Sequence, residues 1–135
     1  MSKTIDVAVD FKQAKARQLY DDYLNAKAHS DIIGAPVTVA PKIGAAFSAF
    51  GGGLSGRILE LVPGRMIVQS WRGQPWRTDD LDSTLVLTFE DTAKGARIRL
   101  VHANIPEQAA EMVNEQKWDE RYWTPWKTYL RRADG

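Results

Sequence analysis

The sequence predicts an α+β protein in which a curved antiparallel sheet of about six or seven strands wraps around a long C-terminal helix. The strands are indicated by a period-2 alternation of apolar and polar residues that recurs between residues 4 and 102. The helices are indicated by a change to helical spacing after the first strand, where two short helices follow, and again at the C-terminus. A sheet with one apolar face needs a cover, and the aromatic-rich C-terminal helix is the longest segment suited to it.

Composition places the chain among ordinary globular proteins and excludes several functional classes. Of its 135 residues, 44% are hydrophobic and 26% are charged, and the net charge is +1. Because so small a charge creates no long-range field, we expect neither nucleic acid nor a membrane as a partner. The absence of cysteine excludes disulfides and thiolate catalysis. We expect a single domain over residues 1–135, and a cytoplasmic location because the N-terminal residues lack the apolar run of a signal peptide.

The first third of the chain predicts a strand, two short helices and an edge strand. The alternating segment 4–11 is the strand, and residues 28–33 form a short second helix or turn. Between them, five apolar residues fall on one helical face: Ala16, Leu19, Tyr20, Tyr23 and Leu24. Residues 37–39 are expected at a sheet edge, because the prolines on either side cannot donate ladder hydrogen bonds.

Residues 47–71 predict three consecutive antiparallel strands. A glycine-rich turn joins the first two, and the turn Val62-Pro63-Gly64-Arg65 joins the second and third. Proline fixes φ at the second position of a type II turn, and glycine accepts the positive φ at the third. Two further strands are expected at residues 84–89 and 97–102. After them, Pro106 suits the first position of a helical segment.

The C-terminal helix carries a broad aromatic face. Five residues keep helical phase across Pro125, namely Trp118, Tyr122, Trp126, Tyr129 and Leu130. This phase favours one helix kinked at the proline. The alternative is a fresh helix with Thr124 as its cap and Pro125 as its first residue. We expect Tyr122, Trp126 and Leu130 to pack on the sheet.

Several motifs that resemble catalytic or binding sequences have simpler structural explanations. Residues 51–56 match G-x-G-x-x-G, but a dinucleotide site needs a helix after the motif, and residues 57–62 have strand character. A turn or bulge that bends the sheet is the favoured interpretation. Asp79, Asp80 and Asp82 lack the spacing of a calcium loop and are typical of a solvated turn. His29 and His102 are isolated, so we predict no metal site, no cofactor and no catalytic residue.

A curved sheet and a straight helix do not fill space together, so we expect a ligand pocket between them. His102 shares the strand phase of Ile98 and Leu100 and therefore faces the helix. A histidine there is more often a hydrogen-bonded core group than a ligand contact, and both possibilities remain open. The predicted ligand-binding residues are His102, Trp71, Trp76, Trp118, Tyr122, Trp126 and Leu100. So many aromatic rings suit an apolar or flat ligand.

Five segments that together span most of the chain carry a family resemblance. They are FGGGLSGRILELVPGRMIVQSWR, the loop around Trp76, the strand T-L-V-L-T-F, His102-Ala103-Asn104-Ile105-Pro106, and the closing W-D-E-R-Y-W-T-P-W-K-T-Y-L. Together they resemble the activator of heat-shock-protein ATPase homologue family, part of the START-like (SRPBCC) superfamily of helix-grip domains. The resemblance implies about seven strands around a long C-terminal helix, with an internal pocket.

The resemblance also implies a range of functions. In the eukaryotic protein that gives the family its name, this fold is the C-terminal half of a two-domain co-chaperone of the ninety-kilodalton heat-shock protein. Other relatives in the superfamily bind lipids or hydrophobic metabolites, and some are polyketide cyclases. The companion half of the co-chaperone has no counterpart in this sequence, so we expect little or no stimulation of a heat-shock-protein ATPase by this chain alone.

Three functions therefore compete. The leading hypothesis is non-catalytic binding or carriage of a small hydrophobic ligand in the cavity between sheet and helix, by a monomer or homodimer. The first alternative is a chaperone-interacting module, which requires an exposed apolar patch. The second alternative is a polyketide-cyclase-like enzyme, which would use His102 or Glu60 as an acid or base in the pocket.

Overall fold

In the computed structural model, which describes residues 2–134, seven strands form one antiparallel sheet. The strands are β1 (Lys3–Lys12), β2 (Val37–Thr38), β3 (Ala46–Ala49), β4 (Leu54–Val62), β5 (Met66–Gly73), β6 (Ser83–Thr92) and β7 (Gly95–Ile105). Their order in the sheet is β1-β7-β6-β5-β4-β3-β2. The two-residue strand β2 lies at one edge, as its flanking prolines predicted.

Helices cover one face of this sheet. Between β1 and β2 lie α1 (Ala16–Leu24) and α2 (Ala26–Ile33). The C-terminal helix consists of α3 (Glu115–Trp118), a π-helical turn (Asp119–Trp123) and α4 (Thr124–Asp134). Short 3-10 turns occur at Phe50–Gly52 and Glu107–Ala109. This order of elements confirms the predicted α+β helix-grip architecture.

The C-terminal helix runs without interruption through Pro125. The backbone at Thr124 is helical (φ −62°, ψ −52°), which confirms one continuous helix and rules out a fresh helix capped by Thr124. The sequence did not predict the π-helical turn, which is closed by a hydrogen bond from the Thr124 N–H to the Asp119 carbonyl. In an α-helix the ring of Pro125 would clash with the carbonyl four residues earlier, and a wider turn just before the proline gives that carbonyl room.

The segment between β7 and the C-terminal helix differs from the prediction. Pro106 has an extended ψ of 138° and precedes the 3-10 turn, so it lies one residue before the helical position that we expected. The long helix begins only at Glu115, where the Asn114 side chain accepts a hydrogen bond of 2.9 Å from the Lys117 N–H. This cap fixes where the helix begins because it satisfies an N–H that has no partner within the helix.

The space between the sheet and the C-terminal helix is filled by side chains. The inward residues of β6 and β7, including Leu87 and Leu100, are almost fully buried, as their alternation predicted. Trp126 is 1% exposed, and its ring centroid lies 5.4 Å from that of Phe11 and 6.3 Å from that of Trp123. Tyr122 and Leu130 are buried on the same face. The helix therefore grips the sheet through packed aromatic rings.

Two glycines are required by the path of the strands. Gly64 has φ of 74°, and the Arg65 N–H donates a 2.8 Å hydrogen bond to the Val62 carbonyl, in agreement with the predicted type II turn. A Cβ atom on Gly56 would overlap the carbonyl oxygen of Ser70 on β5. The turn predicted for the glycine-rich segment is present at Phe50–Gly52, between β3 and β4, and Gly56 has the further role of letting β4 and β5 approach closely.

Candidate functional site

An apolar cleft opens at one end of the sheet, between the glycine-rich turn, the loop after β5 and the C-terminal helix. It holds about 200 Å³. An adjoining recess of about 20 Å³ is bounded by many of the same residues and has room for about one water molecule. The apolar walls of the cleft are Phe50, Leu54, Trp71, Trp76, Met112 and Val113. This combination of concave shape and aromatic walls is typical of sites for small apolar molecules.

The loop that carries Trp76 is held in place by hydrogen bonds. The Arg72 guanidinium donates to the Asp80 carbonyl at 2.7 Å and to Asp82 Oδ1 at 3.1 Å. The Gln74 N–H donates to the Gly53 carbonyl at 2.8 Å, which joins this loop to the glycine-rich turn. These bonds hold the loop in place, so this wall of the cleft is formed before any ligand binds. Within residues 2–134, no three acidic or histidine side chains cluster as metal ligands, and the aspartates of this loop form part of the turn.

Two rings define the floor and the wall next to this loop. The centroids of Trp71 and Trp76 are 5.7 Å apart, at an angle of 51°. Trp76 also covers Gly73, where a Cβ atom would meet the indole ring. Any side chain at position 73 would therefore displace Trp76 from the cleft. The absence of a side chain at this one position lets the second indole lie against the first.

Phe50 occupies an unusual backbone conformation at the opposite wall. Its φ is 54°, and the two glycines after it have φ of 64° and 94°. A non-glycine residue in this left-handed region costs about 1–2 kcal/mol. The conformation brings the Phe50 ring to the cleft, with the Arg121 guanidinium carbon 5.7 Å from its centroid. The glycine-rich turn is therefore both a strand connection and a wall of the cleft.

His102 lies behind the cleft, and both of its ring nitrogens are hydrogen-bonded within the protein. The Trp118 indole N–H donates to His102 Nδ1 at 3.3 Å, so the ring proton resides on Nε2. Nε2–H then donates to Ser83 Oγ at 2.8 Å, and Ser83 donates to the Trp71 carbonyl at 2.7 Å. Burial lowers the pKa of His102 to about 3, which keeps the ring neutral. The structure therefore makes His102 a hydrogen-bonded core group.

A second buried network, which the sequence did not reveal, reaches the recess beside the cleft through Tyr122. The Tyr122 hydroxyl donates to His29 Nε2 at 2.8 Å, and His29 Nδ1–H donates to the Tyr23 carbonyl at 2.8 Å. The Tyr23 hydroxyl in turn donates to Gln69 Oε1. Burial lowers the pKa of His29 to about 4 and raises that of Tyr122. One signal was present: Gln69 has the same strand phase as Ile67 and Trp71 and must face inward.

The structure brings four of the seven predicted ligand-binding residues to the cleft and its recess: Trp71, Trp76, Trp118 and Tyr122. Leu100, His102 and Trp126 are not on its walls. They are almost fully buried in the packed core, because the rings of the C-terminal helix fill the space where a central cavity was expected. Sequence reasoning did not find Phe50, Leu54, Met112, Val113 or Arg121. Periodicity indicates which face of a strand or helix a residue lies on, but not where a turn, the start of β4 and the C-terminal helix meet.

The acid and base considered for an enzymatic mechanism do not meet. Glu60 is exposed on β4, and its Oε1 accepts a hydrogen bond from the neighbouring Leu61 N–H at 3.0 Å. His102 is fully buried with both nitrogens engaged. A general acid–base pair needs both groups within reach of one substrate. His102 and Glu60 do not form such a pair.

A seven-stranded antiparallel sheet that grips a long C-terminal helix, with two short helices after the first strand, defines a protein of the helix-grip class. The family described as Activator of Hsp90 ATPase homolog 1-like protein matches residues 13–131 of this chain. The chain belongs to that family. No helix within residues 2–134 combines the length and apolar character needed to cross a bilayer.

Individual relatives agree with this assignment. The chain is 28% identical over 115 residues to the activator of 90 kDa heat shock protein ATPase homolog of Dictyostelium discoideum, covering 84% of this chain and 30% of that protein. It spans about a third of the length of the curated relatives that it matches. A crystal structure of an HSP90 activator from Plasmodium falciparum has a TM-score of 0.76 at 22% identity and 96% coverage of both chains. A protein from Mesorhizobium loti has a TM-score of 0.80 at 19% identity, covering 96% of this chain and 98% of that one.

Proposed function

We propose that this protein binds or carries a small hydrophobic molecule without transforming it, and that the molecule lies in the cleft at the end of the sheet. The observation that carries the proposal is the preformed apolar cleft, in which Trp71, Trp76 and Phe50 present their rings to one space of about 200 Å³. Pockets of this kind take their affinity from apolar burial and their orientation from a few polar contacts. The proposed site differs from the central cavity expected from the sequence.

The chemistry of the walls supports binding without turnover. Among the described residues that line the cleft and its recess, none is a carboxylate or a histidine. Behind these walls, His102 is held neutral and has no free nitrogen. The Tyr122 hydroxyl is already donated to His29. A bound molecule would therefore meet no carboxylate or imidazole that acts as a general base, and the amine of Lys117 in the recess is paired with Glu120 at 3.5 Å.

A titration with a neutral fluorescent probe tests this proposal. N-phenyl-1-naphthylamine is apolar, uncharged and emits strongly when it leaves water. We expect saturable binding to the wild type, and at least tenfold weaker binding to Trp76→Ala because that change removes one wall of the cleft. Leu81→Ala is the control, since Leu81 is 76% exposed and does not line the cleft. Absence of saturable binding, or equal affinity in all three proteins, would refute the proposed site.

Family membership favours one other function, the interaction with a chaperone. Met112 is 53% exposed at the rim of the cleft, where an apolar side chain of a protein partner could contact it. On this hypothesis Met112→Glu abolishes binding to a purified ninety-kilodalton heat-shock protein in a calorimetric titration, whereas Leu81→Glu does not. We expect the chain alone to leave the ATP turnover of the chaperone unchanged. A concentration-dependent increase in turnover, with the chaperone's own rate subtracted, would contradict that expectation.

A further inference from the structure

We propose that the ligand of the cleft is an amphipathic monoanion: a flat or elongated apolar body that ends in one carboxylate, sulfonate or similar oxyanion. The inference rests on the function proposed above and adds the chemical class of the ligand. Its basis is the charge and hydrogen-bonding character of the cleft, in which the polar groups left unsatisfied are donors.

The cations of the cleft come from the C-terminal helix. Lys117 and Arg121 line the recess, and Arg121 also lines the larger cleft. Lys117 Nζ lies 3.5 Å from Glu120 Oε2. Arg121 differs, because none of the carboxylates whose side chains the structure describes pairs with it, and its contact is the face of the Phe50 ring. A guanidinium held beside an aromatic ring, without a counter-ion, favours an anionic partner.

Trp71 supplies an independent second donor. The residue is 95% buried and lines both the cleft and its recess, yet its indole N–H has no acceptor within residues 2–134. A buried donor without a partner is unfavourable, and such groups are rare in native proteins. By contrast, the indole N–H of Trp118, which lines the same recess, has an acceptor, because it donates to His102 Nδ1. The Trp71 nitrogen is closed off from solvent, as is the indole nitrogen of Trp126 in the core, which is equally unpaired among the described residues, so a ligand oxygen becomes its acceptor only when the Trp71 ring turns toward the cleft.

These two donors distinguish between classes of ligand. An oxyanion accepts hydrogen bonds from the Arg121 guanidinium and the Trp71 indole while its apolar body contacts Phe50 and Trp76. A neutral hydrocarbon would cover Arg121 without providing a counter-charge, which costs desolvation energy. An organic cation would be repelled by Arg121 and Lys117. The cleft therefore selects for negative charge at one end of an apolar molecule.

Two probes with one ring system test the inference. 8-Anilino-1-naphthalenesulfonate carries a sulfonate, and N-phenyl-1-naphthylamine is the same skeleton without it. We expect Arg121→Gln to weaken binding of the sulfonate about tenfold and to change the affinity for the neutral probe less than twofold. Arg132→Gln is the matched control, because Arg132 is exposed on the same helix and lines neither the cleft nor the recess. It should leave both affinities within twofold.

A second measurement uses the wild-type protein alone and so does not require that a variant folds correctly. In a ¹H–¹⁵N spectrum, the indole proton of Trp71 should move downfield when the sulfonate binds, because its N–H gains an acceptor. The neutral probe should shift this signal only through its ring current, without the downfield change. If Arg121→Gln weakens both probes equally, or if the Trp71 signal responds equally to both, the anion inference is wrong while the proposed function stands. If neither probe binds saturably, the proposed function itself is wrong.

Discussion

The two buried histidines predict a specific loss of stability in mild acid. His29 and His102 are 1% and 0% exposed, and burial lowers their pKa values to about 4 and about 3. In the unfolded chain both titrate near 6.5. The unfolded state binds protons more readily than the folded state, so the contribution of the two neutral histidines to the free energy of unfolding is fully present above pH 6.5. It is lost progressively as the pH falls toward the folded pKa values.

The magnitude follows from the width of that interval. At pH 5, which is above both folded pKa values, the pH lies about 1.5 units below the unfolded pKa. Protonation of each histidine in the unfolded chain therefore lowers the free energy of unfolding by about 2 kcal/mol. The two together predict a loss of about 4 kcal/mol between pH 8 and pH 5. Asp22 acts in the opposite sense, because burial raises its pKa to about 6 and the folded protein favours its protonated form. Its contribution is common to every variant and cancels when variants are compared.

Urea unfolding at pH 8, 7, 6 and 5 measures this effect in the wild type, in His29→Gln, in His102→Gln and in the double variant. The prediction concerns the change in unfolding free energy with pH, so a uniform loss of packing in a variant does not affect it. Each single substitution should reduce the loss between pH 8 and pH 5 by about 2 kcal/mol, and the double substitution by about 4 kcal/mol. An unchanged pH dependence in His102→Gln would show that His102 is solvated or charged in the folded protein. It would refute the hydrogen-bond chain through Ser83 and Trp118.

Two further predictions concern the packing of the helix and the wall of the cleft. Trp126→Ala should lower the free energy of unfolding by about 3–5 kcal/mol in a denaturant melt, because the ring is 1% exposed between sheet and helix. A loss below about 1 kcal/mol would mean that the helix does not pack on the sheet through this ring. Arg72→Met should weaken binding of N-phenyl-1-naphthylamine several-fold although Arg72 does not line the cleft, because the Trp76 loop loses the bonds that order it. Equal affinity in Arg72→Met and wild type would show that Trp76 is positioned without Arg72.

Regular periodicity explains why the fold could be predicted from the sequence. The alternation that turns Leu100 and His102 toward the helix is a local property, and so is the helical phase shared by Trp118, Tyr122 and Trp126. The edge position of β2 and the turn at Gly64 also follow from the chemistry of single residues. In each of these cases the local preference and the packed structure agree.

The cleft could not be predicted in the same way, because it depends on the packed volumes of side chains distant in sequence. The sequence indicated that curved sheet and straight helix leave a void, but the indoles of Trp123 and Trp126 fill it. The open space lies instead where the loop at Trp76 and the turn at Phe50 meet the helix. Neither the left-handed backbone of Phe50 nor the π-helical turn has a periodic signal.

The five tryptophans provide the most direct test of where this protein binds a ligand. Titration of ¹⁵N-labelled protein with N-phenyl-1-naphthylamine should shift the indole signals of Trp71, Trp76 and Trp118 along one saturable curve, because these rings line the cleft and its recess. The signals of Trp123 and Trp126 should remain in place, because those rings are packed between sheet and helix. Saturable shifts at Trp123 and Trp126 without shifts at Trp71 and Trp76 would place the ligand in the core and contradict the proposed site. The absence of any saturable shift would contradict small-molecule binding at the cleft.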